Sequence, residues 1–214
     1  AAKQFGDRQV QRLAAEIVER QYEIGNRLLE GEEDKGGFFS AIKGTNYNII
    51  EIFQTVIRNA PYGDFAPPSQ YKIGLYLMEK NLFQEARDEF EKVLNDYPDS
   101  EWAKAAKYQI AVADSKRSSD AAYDQRITQS AVEEFKEFVE IYPDAELSEK
   151  AKDQINKLRD KEAENNFLIA QYYENRKNYK AAKIYYQTIV DSYEDSRWAQ
   201  KALNKIQDVN KKIE

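Results

Sequence analysis

Apolar residues return every three or four positions along most of this chain. Leu13, Ile17, Ile24 and Leu28 trace one such stripe, which predicts a helix over 8–30 with Gly31 as its C-terminal stop. Residues 31–45 (GEEDKGGFFSAIKGT) hold too much glycine for a helix and predict an irregular segment. Ile49, Phe53 and Val56 predict a second helix over roughly 46–59, ended by Pro61. Pro67-Pro68 opens the next, where a missing N–H does no harm because the first turn has no partner for it. Further helices are predicted over 68–79, 82–96, 100–115, 127–141 and 178–192, with Ser100 and Ser196 placed to cap the helices that follow them. Residues 116–126 (KRSSDAAYDQR) read as a polar insertion. Nothing breaks the pattern from Glu146 to Arg176, a rod of about 46 Å at 1.5 Å per residue. The last helix, 196–213, sets Trp198, Leu203, Ile206 and Val209 on one face and Lys, Gln and Asp on the other, as a terminal capping helix requires.

These helices repeat one another. Ala86, Phe90 and Pro98 recur as Ala131, Phe135 and Pro143, and again as Ala182, Tyr186 and Glu194, with the aromatic four residues after the small one. On the preceding helix Gly74 stands 12 residues before Ala86, as Ala170 does before Ala182. Between Ala111 and Ala131 the separation is 20, so about one extra loop is inserted there. Small residues at such positions let the two helices of a hairpin approach, and the aromatic fills the next interface. The fold expected is all-α, a right-handed solenoid of tetratricopeptide-like hairpins. It forms a single domain over 1–214, with amino-terminal repeats 8–99 and carboxy-terminal repeats plus capping helix 100–214. Phe90, Phe135 and Tyr186 are its expected core.

Composition narrows the chemistry. The chain has no Cys and no His, which excludes thiol nucleophiles, disulfides, zinc sites and His-based triads. Its net charge of −6 is spread along the helices and leaves no electrostatic footprint for nucleic acid. Carboxylate pairs such as Glu85/Asp88/Glu89 and Glu133/Glu134 lie among Lys and Arg opposite the apolar stripe, as a solvated face does. Gly31-Glu32-Glu33-Asp34 lacks the alternating oxygen ligands of a calcium loop. With no phosphate cradle or nucleophile elbow, no enzyme, metal or cofactor is expected. No apolar run approaches the ~20 residues that span a bilayer. No signal peptide is recognisable, so the chain reads as cytosolic or as a mature or trimmed form.

What remains is recognition. Fifteen Tyr and ten Phe supply rings that fill interfaces and line grooves. In tetratricopeptide hairpins the fifth position of the first helix faces the concave side. Aligned on the small residue three positions later, that slot holds Tyr22, Tyr71, Tyr108 and Phe167. The four form a candidate ladder for an extended peptide, the alternative being that the rings pack against neighbouring helices. Phe38-Phe39 is a second candidate, as a plug or as a partner contact.

The chain also carries more specific residues: Asp124-Gln125, Thr128, Ala131, Phe135, Phe138 and Tyr142-Pro143, then Leu158-Arg159-Asp160, Ile169-Ala170, Tyr172-Tyr173, Arg176, Tyr179 and Ala181-Ala182. In this it resembles the BamD (also YfiO) outer-membrane assembly lipoproteins over about 60–205, and Ala60-Pro61-Tyr62-Gly63 is similar to divergent members. The resemblance implies a periplasmic scaffold held to the outer membrane only by a lipid on an amino-terminal Cys, which this sequence does not contain. It implies two partners, unfolded β-barrel precursors at the amino-terminal repeats and the BamA periplasmic domains at the carboxy-terminal ones, with other assembly lipoproteins as further candidates. Ile184-Tyr185 stands where the family often has Asn-Arg. The candidate partner-binding set is therefore Tyr172, Tyr173, Arg176, Tyr179, Tyr185 and Trp198. The alternative function is a CpoB-like adaptor coordinating another cell-envelope process.

Overall fold

Helices form where the apolar period predicts them. The computed structural model describes residues 2–30, 48–120 and 125–213, and among these every regular element is an α-helix. They are α1 (Ala2–Leu29), α2 (Ile49–Asn59), α3 (Ala66–Glu79), α4 (Phe83–Asp96), α5 (Glu101–Asp120), α6 (Gln125–Ile141), α7 (Glu146–Asn175), α8 (Tyr179–Ser192) and α9 (Ala199–Ile213). Gly31, Phe38-Phe39 and Asp124, each singled out above, lie outside the described residues. The chain divides into two compact units, 1–113 and 114–214, the boundary falling within α5.

In the first unit α1 packs on α2, α2 on α3 and α3 on α4. Asn48 caps α2 by accepting the Ile50 N–H at 3.1 Å, and prolines fill the first turn of α3. The core gathers Phe53, Tyr71, Ile73, Leu77, Phe90, Val93 and Ile110. Glycine sets how closely the helices approach: a Cβ on Gly74 would lie 2.5 Å from Phe90 Cε1, and one on Gly25 2.7 Å from Phe53 Cε1. The α3–α4 turn closes with the Leu82 N–H on the Leu77 carbonyl at 3.0 Å and Asn81 at φ 59°, the left-handed cap that Asn tolerates. Two expectations are corrected here. Leu13 and Ile17 stand 53% and 55% exposed, so α1 meets its neighbours through Val18, Tyr22 and Gly25 instead. Ser100 Oγ is buried without a hydrogen-bond partner and caps nothing.

In the second unit α6 packs on α7, α7 on α8 and α8 on α9. Phe135 and Tyr186 are fully buried, and Ala163, Ala170, Ala182 and Ala202 let the last three helices close on Tyr186 and Ile189. The α7–α8 turn repeats the α3–α4 cap, with the Asn178 N–H on the Tyr173 carbonyl at 3.0 Å and Lys177 at φ 61°. Residues 116–120 and 125–126, expected in a polar insertion, are helical instead. Arg117 and Ser118 have partners there. Asp114, 2% exposed, takes Arg117 Nη1 at 2.9 Å, and Lys161 Nζ donates to the Ser118 carbonyl at 2.9 Å. Ser118 and Thr128 share a further bond. On α9, Ala202, Ile206 and Val209 form the buried face, whereas Leu203 is 42% exposed.

Candidate functional site

The four slot rings do not make an open row. Tyr71 is 8% exposed, its ring 5.4 Å from that of Phe90 and 5.2 Å from that of Trp102. Phe167 is 6% exposed and sits 5.2 Å from Tyr186 and 5.0 Å from Trp198. Tyr22, half-buried, lies 6.0 Å from Phe53 and 4.9 Å from Phe65. In each triad the slot ring touches the aromatic of the second helix and a ring at the entry to the next helix. The groove expectation is thereby corrected for Tyr71 and Phe167, which are packing residues. Burial pushes the hydroxyls of Tyr22 and Tyr71 up, partly offset by hydrogen bonds with Asn26 and Gln109. Tyr108 is half-buried.

The α7–α8 hairpin does gather rings, of which Tyr172 is exposed while Tyr173 and Tyr185 are partly buried against the core. Leu168 and Tyr172 stand four residues apart on one face of α7, and Arg176 follows four later at its C-cap. Leu168 is 55% and Tyr172 51% exposed. The Arg176 guanidinium carbon lies 4.5 Å from the Tyr172 ring centroid, a cation–π contact that holds the cation beside the ring. Tyr173 meets Tyr172 edge-on at 5.6 Å and stacks on Tyr185 of α8 at 5.6 Å and 13°. Four of the six expected residues therefore come together. Tyr179 lies apart under Lys212 Nζ, 5.3 Å from its ring. Trp198 is the third ring of a packed triad, with Lys201 Nζ 4.3 Å from its centroid and its Nε1 buried without a partner. Leu168 was missed, although its four-residue offset from Tyr172 was the available signal.

A carboxylate organises the ground beneath. Glu174 accepts the Tyr186 hydroxyl at 3.0 Å, Lys205 Nζ at 3.2 Å and Lys212 Nζ at 3.1 Å, so it ties α7 to α8 and α9. Burial works against its charge, yet Lys212, Lys205 and Tyr186 hold the carboxyl below its ordinary value. Burial and the neighbouring Glu174 push Tyr186 up in turn. The Leu158-Arg159-Asp160 run is also structural. Leu158 is buried, Arg159 Nη2 donates to the Ser192 carbonyl at 2.8 Å, and Asp160 accepts the Arg197 N–H at 3.1 Å. Both polar residues thereby fix the turn between α8 and α9. Rings, a guanidinium and an aliphatic side chain stand together here, and interface anchors are drawn from these residue types.

Residues 113–214 match the family model described as YfiO, outer membrane lipoprotein, and residues 69–100 match a tetratricopeptide repeat, here the α3–α4 hairpin with its flanks. No curated protein matches the chain.

Proposed function

For a tetratricopeptide protein whose residues 113–214 belong to the YfiO (BamD-type) outer-membrane lipoprotein family, we propose a role as a non-catalytic scaffold of outer-membrane β-barrel assembly. It works at the periplasmic face of the outer membrane. No described helix is long and apolar enough to cross a membrane; the attachment proposed, on the strength of the lipoprotein family match, is a lipid. The observation that carries the reading is the exposed pair Tyr172 and Arg176, which lies within the family-matched segment and is backed by the partly buried stack of Tyr173 on Tyr185. The partner proposed for it is the periplasmic domains of BamA. Tyr185 occupies the slot where the family often carries Arg, so this chain docks through ring faces, with Arg176 supplying the cation from the facing helix.

Unfolded β-barrel precursors are the second proposed partner, met by the amino-terminal repeats. With Tyr71 given over to packing, the slot rings left to meet an extended peptide there are Tyr22 and Tyr108, both half-buried. Capture of the full chain by the cognate BamA periplasmic domains tests the main reading. Replacing Tyr172 and Arg176 together by Ala should weaken capture at least tenfold, about 1.4 kcal/mol, at unchanged helicity. Undiminished capture by the folded double variant would refute it.

A further inference from the structure

The stretch from Asn175 to Val190 carries Arg176, Lys177, Lys180 and Lys183 and not one acidic residue, in a chain with 38 acidic residues and a net charge of −6. Two of these cations border a shallow cavity of about 590 Å³ floored by Ile184 and Ile213. Ile184 is 65% exposed, the isoleucine of α8 that its own core leaves out, and Ile213 is 37% exposed. Neither Lys180 nor Lys183 has an ion-pair partner among the described residues. Among the described residues the one acid on the rim is Asp191, which keeps its charge while accepting Gln187 Nε2 at 2.8 Å and leaves the two lysines in excess, and the Thr188 hydroxyl is committed to the Ile184 carbonyl at 3.0 Å. The face thus presents unpaired positive charge around an uncovered apolar floor.

We propose that this α8–α9 face is a docking surface for an acidic amphipathic segment of a partner protein, whose apolar side chain enters the Ile184–Ile213 cavity while its carboxylates meet Lys180 and Lys183. The complementarity is specific in kind. Lysines three apart on a helix stand one turn from each other, about 5–6 Å between Cβ atoms, which matches carboxylates one turn apart on a helical ligand. An ammonium is a point charge that accepts a carboxylate without demanding a planar fork. The surface is separate from the Tyr172 cluster: successive helical residues turn by about 100°, and Tyr185 is committed to stacking on Tyr173 while Ile184 faces the cavity. The inference goes beyond the proposed BamA contact and does not depend on it.

The test uses the full chain and a fluorescein-labelled helical peptide with two Glu four residues apart flanking a Leu, against the same peptide with Gln for Glu. Anisotropy in 0.15 M salt should show binding of the Glu peptide at least tenfold tighter than the Gln peptide. Lys180→Gln with Lys183→Gln should remove that preference, and Ile184→Ser should weaken binding at least fivefold, each at unchanged circular dichroism. Equal affinity for the two peptides, no binding, or indifference to Ile184→Ser overturns the proposal. So does binding confined to vesicles containing phosphatidylglycerol, which assigns the charge to a membrane surface. Tyr172→Ala should leave peptide binding intact, and the lysine pair should leave capture by BamA periplasmic domains intact. If the lysine pair abolishes both, the two faces are one site and the separate surface is refuted.

Discussion

Gly74→Ala isolates the device that sets helix spacing in the first unit. The added Cβ would lie 2.5 Å from Phe90 Cε1 and 2.8 Å from both Cδ1 and Cζ, against an optimum carbon contact of about 3.5–4.0 Å. The ring would have to retreat by about 1 Å, yet Phe90 is fully buried with the Tyr71 ring packed 5.4 Å from it and Trp102 against Tyr71 in turn. Overpacking of this order costs about 1–3 kcal/mol, while replacing a helical Gly by Ala returns up to about 1 kcal/mol. The expected net loss is about 1–2 kcal/mol. Urea unfolding measures it, with Trp198→Phe as background so that Trp102 is the sole indole and reports on this unit alone. At a slope near 2 kcal/mol/M the midpoint should fall by about 0.5–1 M. In a Phe90→Leu background, which removes Cε1 and Cζ, the same change should become neutral or stabilising. A midpoint that rises for Gly74→Ala beside an intact Phe90 would show that the glycine is not there for the ring.

Glu174→Gln should destabilise the second unit by about 1.5–3 kcal/mol at pH 7, the range for hydrogen bonds to a charged group, since Tyr186, Lys205 and Lys212 all lean on it. Its folded carboxyl lies below the ordinary 4.5, so this contribution is complete above that value and is lost as pH falls through the folded one. Urea melts of variant and parent should converge progressively as pH is lowered below 4.5. Glu162→Gln should do the opposite. Glu162 is 4% exposed with Oε1 unpartnered, and burial, offset in part by Arg159, Lys136, Tyr193 and Gln129, pushes its carboxyl above 4.5. The fold therefore loses stability as pH rises from there through the folded value. The neutral amide should raise the melting temperature at pH 7 and leave it unchanged near pH 4.

The helices and their order were legible because small residue and aromatic recur at fixed separations, and only close-packed hairpins demand both. Phe90, Phe135 and Tyr186, picked by spacing alone, are fully buried. Which way the slot rings point was not legible. Periodicity places Tyr71 and Phe167 on a helix but carries no information about Trp102 or Trp198, which arrive from the following helix and cover them. Residues 116–120 misled for a related reason: composition reads Lys, Arg and Ser as solvent-seeking, but α5 continues through them where Asp114, Thr128 and Lys161 satisfy Arg117 and Ser118. At the α7–α8 cluster the residue types were legible, but their division was not. Tyr173 and Tyr185 stack, Tyr179 turns to α9, and Trp198 goes inside, choices made by neighbours distant in sequence.

The ring triads also bear on where such a chain can be cut and rejoined. A hairpin excised at its visible ends, just after α4, would take Tyr71 and Phe90 and leave Trp102 behind; one excised just after α8 would leave Trp198. Each truncated piece would present a bare aromatic face where a lid belongs. The transferable module is therefore shifted a few residues downstream of the secondary-structure boundary, through Trp102 in the one case and Trp198 in the other. Duplication or grafting that respects this offset carries each interface whole. A joint placed at the loop splits an interface between donor and recipient, and sequences joined there inherit a mismatch that no choice of linker repairs.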